Sequence, residues 1–354
     1  MKLREKHSEV ILSIVFLWFI ACSSSVRENK AQSGKEKSGI NIVFYNTENM
    51  FDTKDDPYII DEEFLPEGDR HWTSYRFHEK LNHISKAIIA SCGYHFPEIV
   101  GLAEVENRFV LEQLTLRTAL SSLKYSIIHK DSPDERGIDV ALLYRPEKVT
   151  PLGYKYYPLL YPNGKINKTR EILYARFRLM NGDTLHLFFN HWPSRYGGQA
   201  KTENLRRMAA ERLRNLTDHL FDTCKNPRIV IMGDFNDEFS NKSIKYYLKA
   251  KKEDNPSVKN ELIDLSSSWH GGTLKYHQNW QIFDHIIISD NLLNEEKNHW
   301  TVDSEDTRIV DLDFLKEPDP KYKGTRPNRT YIGFKYHGGF SDHLPVRICL
   351  KPMY

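Results

Sequence analysis

Cysteine is scarce in this chain: four in 354 residues, at positions 22, 92, 224 and 349. No two are spaced C-x-x-C, so neither a zinc site nor a disulfide framework is indicated. A single bridge among Cys92, Cys224 and Cys349 is left open. An excess of one charge is lacking too. The 50 Lys and Arg side chains face 48 Asp and Glu, a formal net charge of +2. No strongly basic surface for tight, non-specific polyanion binding is therefore implied. After the N-terminus there is no long apolar run, no linker rich in Pro, Gly and Ser beyond Gly39, and no short repeat. No serine or thiol nucleophile motif stands out. What remains is the mixed composition of one large α/β domain.

The N-terminus reads as an address. Lys2, Arg4 and Lys6 precede the apolar run Val10–Ile20, which is too short to span a membrane as a mature helix and has the charge order of a secretory signal. Phe19-Ile-Ala-Cys22 resembles a bacterial lipobox, in which cleavage precedes a cysteine that then carries lipid. A plain secretory signal or an uncut anchor would share the charge order. The expectation is a signal peptide over 1–21, lipidation at Cys22, a flexible polar tether over 22–39 and a single folded domain over 40–354. Loss of residues 1–21 removes three basic and two acidic side chains, taking the formal charge from +2 to +1. The expected place is the bacterial cell envelope, on its periplasmic or surface face, with the membrane held through Cys22.

Beyond the tether, strand and helix patterns alternate. Ile40–Tyr45 reads as a strand, and Asp52–Trp72 as a long surface loop rich in Asp, Glu, Pro and Gly. Phe77, Leu81, Ile84 and Ile88 mark one face of a helix, and Ile99–Glu104 a second strand. Asn107 is placed to cap the next helix, through about Leu120. Strands are expected at Tyr125–Ile128 and Asp139–Tyr144. Ile172–Leu179 and Thr184–Asn190 form a hairpin pattern, with Asn181-Gly182 at the turn. Leu205, Met208, Ala209, Leu213, Leu216 and Leu220 trace the longest helix. It leads into Ile229–Met232, an apolar run between Pro227 and Gly233 that suits a buried central strand. Phe283–Ser289 and Val346–Leu350 supply late strands, whereas the polar, Pro-rich interval from Asn291 to Tyr336 gives no clear elements. Tyr154–Tyr161 is strongly aromatic, which fits a surface that stacks bases or touches lipid, or an edge strand.

Chemistry gathers where these strands end. Asn46 and Glu48 follow the first, Glu104 ends the second, and His191 follows the hairpin. Asp234 and Asn236 follow the central strand, and Asp284, Asp342 and His343 come late. Alone, each has a bland reading as a turn residue, a helix-start acid, a core histidine or a cap. Together they are carboxylates, amides and two histidines, a set that suits a hard divalent cation. It also suits phosphoryl chemistry, in which charge on the phosphate must be neutralised while water attacks in line.

Asn46-x-Glu48, Val-Gly-Leu-Ala-Glu104, Asn190-His191, Gly233-Asp234-Phe-Asn236, Phe283-Asp284-His285 and Ser341-Asp342-His343-Leu-Pro-Val occur in this order across nearly the whole mature chain. This series resembles the endonuclease/exonuclease/phosphatase family, to which deoxyribonuclease I, exonuclease III, neutral sphingomyelinases and inositol-polyphosphate phosphatases belong. G-D-F-N and S-D-H-x-P-V are its specific parts. The resemblance implies a four-layer α/β/β/α sandwich of two packed mixed sheets, deoxyribonuclease I-like. It implies Glu104 as principal ligand of Mg²⁺ or Mn²⁺, with Ca²⁺ a further candidate, and Asn46, Glu48 and Asp342 close to the ion or ions. Asp234 would orient or deprotonate the attacking water, and Asn236 would hold a phosphate oxygen. His343, paired with Asp284, would contact the phosphate and stabilise its charge or act as general base. His191 matches the second histidine of the deoxyribonuclease I-like branch, a phosphate contact or an acid to the leaving oxygen. Arg136 and Asp139, in Arg-Gly-Ile-Asp, lie where relatives supply an Arg or Tyr to the site. Arg170 and Arg195 are candidate phosphate clamps, since arginine forks match its oxygens, or solvated surface charges.

The expectation is thus a metal-dependent phosphodiester hydrolase, nuclease-like and monomeric, with nucleic acid as substrate. The same chemistry on phospholipid head groups or soluble phosphorylated metabolites is the neighbouring reading. A binding lipoprotein without catalysis is the alternative of another class; every expected catalytic position being filled by a competent residue counts against it.

Overall fold

Two mixed sheets, face to face, carry the strand ends on which the chemistry stands. The computed structural model describes residues 39–252, 259–293 and 299–353, so the expected signal peptide, Cys22 and most of the tether lie outside the described residues. The first sheet is begun by β1 (Ile40–Met50), β2 (Ile99–Val105), β3 (Ser126–Ile128) and β4 (Asp139–Tyr144). The second consists of β5 (Thr150–Tyr157), β6 (Ile172–Arg178), β7 (Thr184–His191), β8 (Arg228–Asp234) and β9 (Leu262–Asp264). A small hairpin, β10 (Leu274–Tyr276) with β11 (Asn279–Gln281), precedes its last member, β12 (Asp284–Ser289). The chain then returns to the first sheet through β13 (Trp300–Thr301) and β14 (Thr307–Ile309). Two further hairpins follow, β15 (Lys316–Pro318) with β16 (Thr325–Pro327) and β17 (Tyr331–Ile332) with β18 (Lys335–Tyr336). Strand β19 (Val346–Pro352) closes the first sheet.

The spatial orders are β13-β19-β1-β2-β4-β3, with β14 also on β19, and β5-β6-β7-β8-β12-β9. The pairs β1–β2 and β7–β8 are parallel and their other neighbours antiparallel, so both sheets are mixed. Helices α1 (Ser74–Ala90) and α2 (Arg108–Arg117) cover the first sheet, and α3 (Gln199–Thr223) covers the second. As its sequence position suggests, Asn107 caps α2: its side-chain oxygen accepts from Val110 N at 3.0 Å. The expected four-layer sandwich is therefore present.

Alternation within each strand builds the layers. In β8, Val230 and Met232 point between the sheets, with Phe44, Leu187 and Phe189, while Ile229 and Ile231 point outward to Ala209, Ala210 and Leu213 of α3. In β2, Val100 and Leu102 meet Leu81, Ile84 and Ile88 of α1. A strand covered on both faces reads as a continuous apolar run, which is why Ile229–Met232 shows no polar alternation. Each such side chain contributes about 1.5–3 kcal/mol by leaving water. Gly101 lets the sheets approach closely, since a Cβ there would lie 2.3 Å from the Phe189 ring.

Several expectations change. Strand β1 runs on past Tyr45 to Met50 through an irregularity in its pairing with β2. Asp52–Trp72 is a loop, but a packed one: Phe51 and Phe64 stack at 4.3 Å, and the buried Trp72 donates its indole N–H to Phe51 O at 2.9 Å. Tyr154 falls in edge strand β5, the edge-strand reading of that stretch. The interval left without elements holds the strands β13 to β18. Cys92, Cys224 and Cys349 are all free. Among the described residues no helix is long and apolar enough to cross a membrane.

Candidate active site

Register places the first row of chemistry. β7 and β8 pair so that His191 lies opposite Asp234, and β8 and β12 so that Asp234 lies opposite Asp284. Three neighbouring strands thus end at one level. Gly233 permits this, because a Cβ there would fall 2.3 Å from Asn190 O on β7. The first sheet answers with irregular backbone. Pairing shifts between Asn46 and Met50 and between Ala103 and Val105, bulges that re-aim the side chains between them. Glu48, Asn49, Glu104 and Asn236 have φ of 52°, 56°, 61° and 52°, in the left-handed region that non-glycine residues rarely occupy. Such strain costs about 1–3 kcal/mol per residue and clusters at functional sites.

The two rows meet at Asn46. Its amide donates to Glu104 Oε1 at 3.3 Å and to Asp234 Oδ2 at 3.0 Å, while its carbonyl accepts from Glu48 N at 3.0 Å. Asn49 N donates to the other Glu104 oxygen at 2.9 Å. His191 Nε2 is 3.7 Å from both Glu104 Oε1 and Asp234 Oδ2. His343 Nδ1 bonds Asp284 Oδ2 at 2.7 Å, and its Nε2 faces Asp234 Oδ2 at 3.7 Å. Ser341 ties this loop to β1, its hydroxyl donating to Asn46 O at 2.7 Å and accepting from His343 N at 3.1 Å. Asn236 donates its backbone N–H to Asp234 Oδ1 at 2.9 Å and its amide to Trp192 O at 3.1 Å.

Electrostatics separates the two histidines. Burial lowers His191 well below the usual range, and the charges of Arg170, Arg136 and His343 push the same way, so it is neutral. Burial works against charge on His343 as well, but the Asp284 and Asp234 carboxylates outweigh it and hold the ring well above the usual range. Burial, Asp284 and Glu104 raise Asp234 to about 7 against the pull of His343. Glu48 is raised by burial and by Asp342. Asp342 goes the other way: Arg329, His343 and Lys80 overcome its burial and lower it.

Some expected members stand elsewhere. Arg170 is buried and engaged with Asp134 at 2.9 Å and Trp192 O at 2.8 Å. Arg195 binds Asn236 O at 2.8 Å, Asp237 at 2.9 Å and Asn241 at 3.0 Å. Both clamp the site's backbone instead of presenting a free fork. Asp139 accepts from His129 at 2.9 Å and Ser132 N at 2.8 Å. Arg136 is half-exposed beside Asp134, and its charge reaches His191.

Sequence reasoning missed three members. Arg329 bridges Asp342 Oδ2 at 2.8 Å and Glu48 Oε1 at 3.4 Å, and Thr330 N donates to Glu48 Oε2 at 2.6 Å. Lys80, buried on α1, donates to Thr330 Oγ1 and Phe340 O, both at 2.6 Å. Burial lowers its amine to about 8 although Glu48, Asp342 and Glu104 pull it up. Its position in the stripe Phe77, Lys80, Leu81, Ile84 was the available signal: a cation on a buried helix face.

The donor set fits a hard divalent cation. Five carboxylates, Glu48, Glu104, Asp234, Asp284 and Asp342, gather here, with Lys80, Arg329 and His343 as the cations among them. Asp284 Oδ1 is buried without a hydrogen-bond partner, and oxygen ligands are those such ions select. By distance alone, Asp234, Asp284 and His343 offer ligand atoms within 4.8 Å of one another, as do His129, Asp131 and Asp139.

A family model described as "Endonuclease/Exonuclease/phosphatase family" matches residues 41–352. Comparison with curated proteins gave no match. Among solved structures, the chain is similar to an endonuclease/exonuclease/phosphatase family protein from Bacteroides thetaiotaomicron, at 16% identity and a TM-score of 0.54, over 90% of this chain and 99% of that one. It is similar to the human nocturnin catalytic domain with bound sulfate at 17% identity and a TM-score of 0.53, over 88% and 94%. A mannosyl-6-phosphatase from Bacteroides thetaiotaomicron is similar at 17% identity and a TM-score of 0.52, over 88% and 99%. Identities this low speak to the fold; the family model reaches from the first strand to the last. The chain belongs to the endonuclease/exonuclease/phosphatase family, and with it to the metal-dependent phosphoesterases.

Proposed function

We propose that the chain is a phosphodiester hydrolase that uses Mg²⁺ or Mn²⁺ and cuts nucleic acid. The observation that carries the chemistry is the row His191, Asp234, Asp284 on adjacent strands, with charged His343 held between two of its carboxylates. Glu104 would hold the metal, with Asp342 and Glu48 beside it, and Asn46 would orient Glu104 through its amide. When bound, the ion neutralises charge on the phosphate. Asp234, raised to about 7, is suited to take a proton from the attacking water in line with the departing oxygen. Protonated His343 stabilises charge on the phosphate, and Asp284 keeps it protonated and oriented. Neutral His191 contacts the phosphate from the other side. Asn236 is fixed at the mouth by Arg195 and Trp192, where it would meet a phosphate oxygen.

His191, in the position of the deoxyribonuclease I-like second histidine, supports nucleic acid as substrate. A phosphorylated sugar is the second reading. A mannosyl-6-phosphatase shares the fold. We further propose that the protein is exported, anchored through Cys22 and monomeric; an unlipidated Cys22→Ala variant recovered in the soluble fraction is the expected result.

Purified protein should nick supercoiled plasmid with Mg²⁺ or Mn²⁺ and lose this with EDTA. Intact plasmid beside metal-dependent turnover of a sugar phosphate would move the substrate to metabolites. No turnover on a panel of phosphodiesters and phosphomonoesters would sink the enzyme reading.

A further inference from the structure

Three aromatic rings form a ladder beside the site. Tyr276 and His277, at the tip of the β10–β11 hairpin, stack at 4.3 Å and 13°. His277 in turn stacks on Tyr322 of the β15–β16 hairpin at 5.1 Å and 21°. His277 stands at φ 55°, the left-handed turn geometry that brings its ring over its neighbour. Lys275 staples the two hairpins, donating to Asp319 at 2.9 Å and to Lys323 O at 2.7 Å. None of the three rings belongs to a core cluster, and Tyr276 is 63% exposed. Packing of the interior does not account for them.

The ladder is joined to the catalytic loop. Leu274 pairs with His343 in a β-bridge, and Leu344 N donates to Thr273 O at 2.7 Å. At about 3.3 Å per residue, Tyr276 and His277 lie roughly 7–10 Å along the strand from that bridge. The segment that carries Tyr322 is also basic in sequence. Residues 316–337 hold six basic side chains (Lys316, Lys321, Lys323, Arg326, Arg329, Lys335) and two acidic ones (Glu317, Asp319), a net +4 in a chain of net +2. The rest of the chain is therefore at −2. Lys321 lies over the Tyr322 ring at 5.0 Å.

We propose that this ladder is a stacking platform for the bases of a single-stranded nucleic acid, whose phosphates run past the lysines toward His343. The assignment rests on the nuclease reading for its substrate class. Flat, near-parallel rings with a lysine over one of them match a strand that alternates π faces and anionic links, and such stacking is indifferent to sequence.

The test is fluorescence anisotropy of a labelled single-stranded 16-mer in EDTA, where nothing is cut. Tyr276→Leu and Tyr322→Leu should each weaken binding about tenfold, and Tyr276→Phe should restore it. The same variants should leave turnover of bis(p-nitrophenyl) phosphate unchanged, since that ester is too small to reach the ladder. Affinity unchanged in both Leu variants, or no binding by the parent protein, overturns the platform. Ring-dependent binding to phosphatidylserine vesicles without binding to the oligonucleotide overturns it too, in favour of lipid. If the oligonucleotide binds with ring dependence but no nucleic acid is cleaved, the platform stands and the nuclease reading falls.

Discussion

Asp284 Oδ2 lies 2.7 Å from His343 Nδ1, and the other nitrogen of that ring faces Asp234 Oδ2 at 3.7 Å. One imidazole thus has a carboxylate at each edge, and the pair keeps it charged against burial. Asp284→Asn preserves the shape and removes one charge, so the folded pKa of His343 falls. A raised pKa means the cation is present below it and lost as pH rises through it. The alkaline limb of kcat/KM should therefore move to lower pH in Asp284→Asn, with kcat down about 10²–10⁴-fold. A profile with an unmoved alkaline limb would remove His343 as the working cation.

Glu104 stands at the centre with its backbone at φ 61°, in a bulge. Glu104→Ala deletes the carboxylate while leaving the fold, and should cost at least about 100-fold in Mn²⁺ affinity and in turnover. Isothermal titration of Mn²⁺ into both proteins decides it. Equal affinity would place the ion elsewhere in the acid group.

Gly101 has no room for a side chain, with the Phe189 ring 2.3 Å from where a Cβ would stand. Gly101→Ala should lower unfolding free energy by about 1–3 kcal/mol through overpacking between the sheets. Urea unfolding monitored by tryptophan fluorescence reads this directly, and a midpoint equal to the parent's would contradict the tight inter-sheet contact.

His186, on the outer face of β7, shares a hydrogen bond with Tyr174 Oη at 2.7 Å, and burial with Arg176 lowers its pKa to about 4. In the unfolded chain it returns to about 6.5. Between these values the unfolded state takes up a proton that the folded state refuses. Stability should fall as pH drops from 6.5 toward 4, on the order of 3 kcal/mol from this ring. His186→Gln should flatten that part of the curve, measured as urea midpoints at pH 7 and pH 4.5. The same acid loss in both proteins would assign it to other groups.

The strand-end residues were legible as a set, because carboxylates, amides and histidines closing one apolar run after another exceed what turns and caps require. Lys80, Arg329 and Thr330 were not. Lys80 hides in an apolar helical stripe, where a lysine is ordinarily solvated, and the other two lie in a polar stretch whose short strands carry no periodicity. Arg170 and Arg195 show the reverse error. Nothing along the chain separates an arginine open to phosphate from one whose fork is filled by Trp192 O or Asn236 O.

Short-range sterics and hydrophobic periodicity act over a few residues, so the sequence suffices for the run Ile229–Met232, the Asn107 cap, the Asn181-Gly182 turn and the motif series. Convergence is a different matter. Asn46 meets Glu104 across 58 residues, Asp234 across 188 and the Ser341 hydroxyl across 295. Those meetings depend on strand register and on how two sheets pack, with Gly233 and Gly101 setting the spacing. Which carboxylates share a centre, which histidine is charged and which arginines are already occupied follow from burial and distance, and these exist only once the sheets have closed on each other.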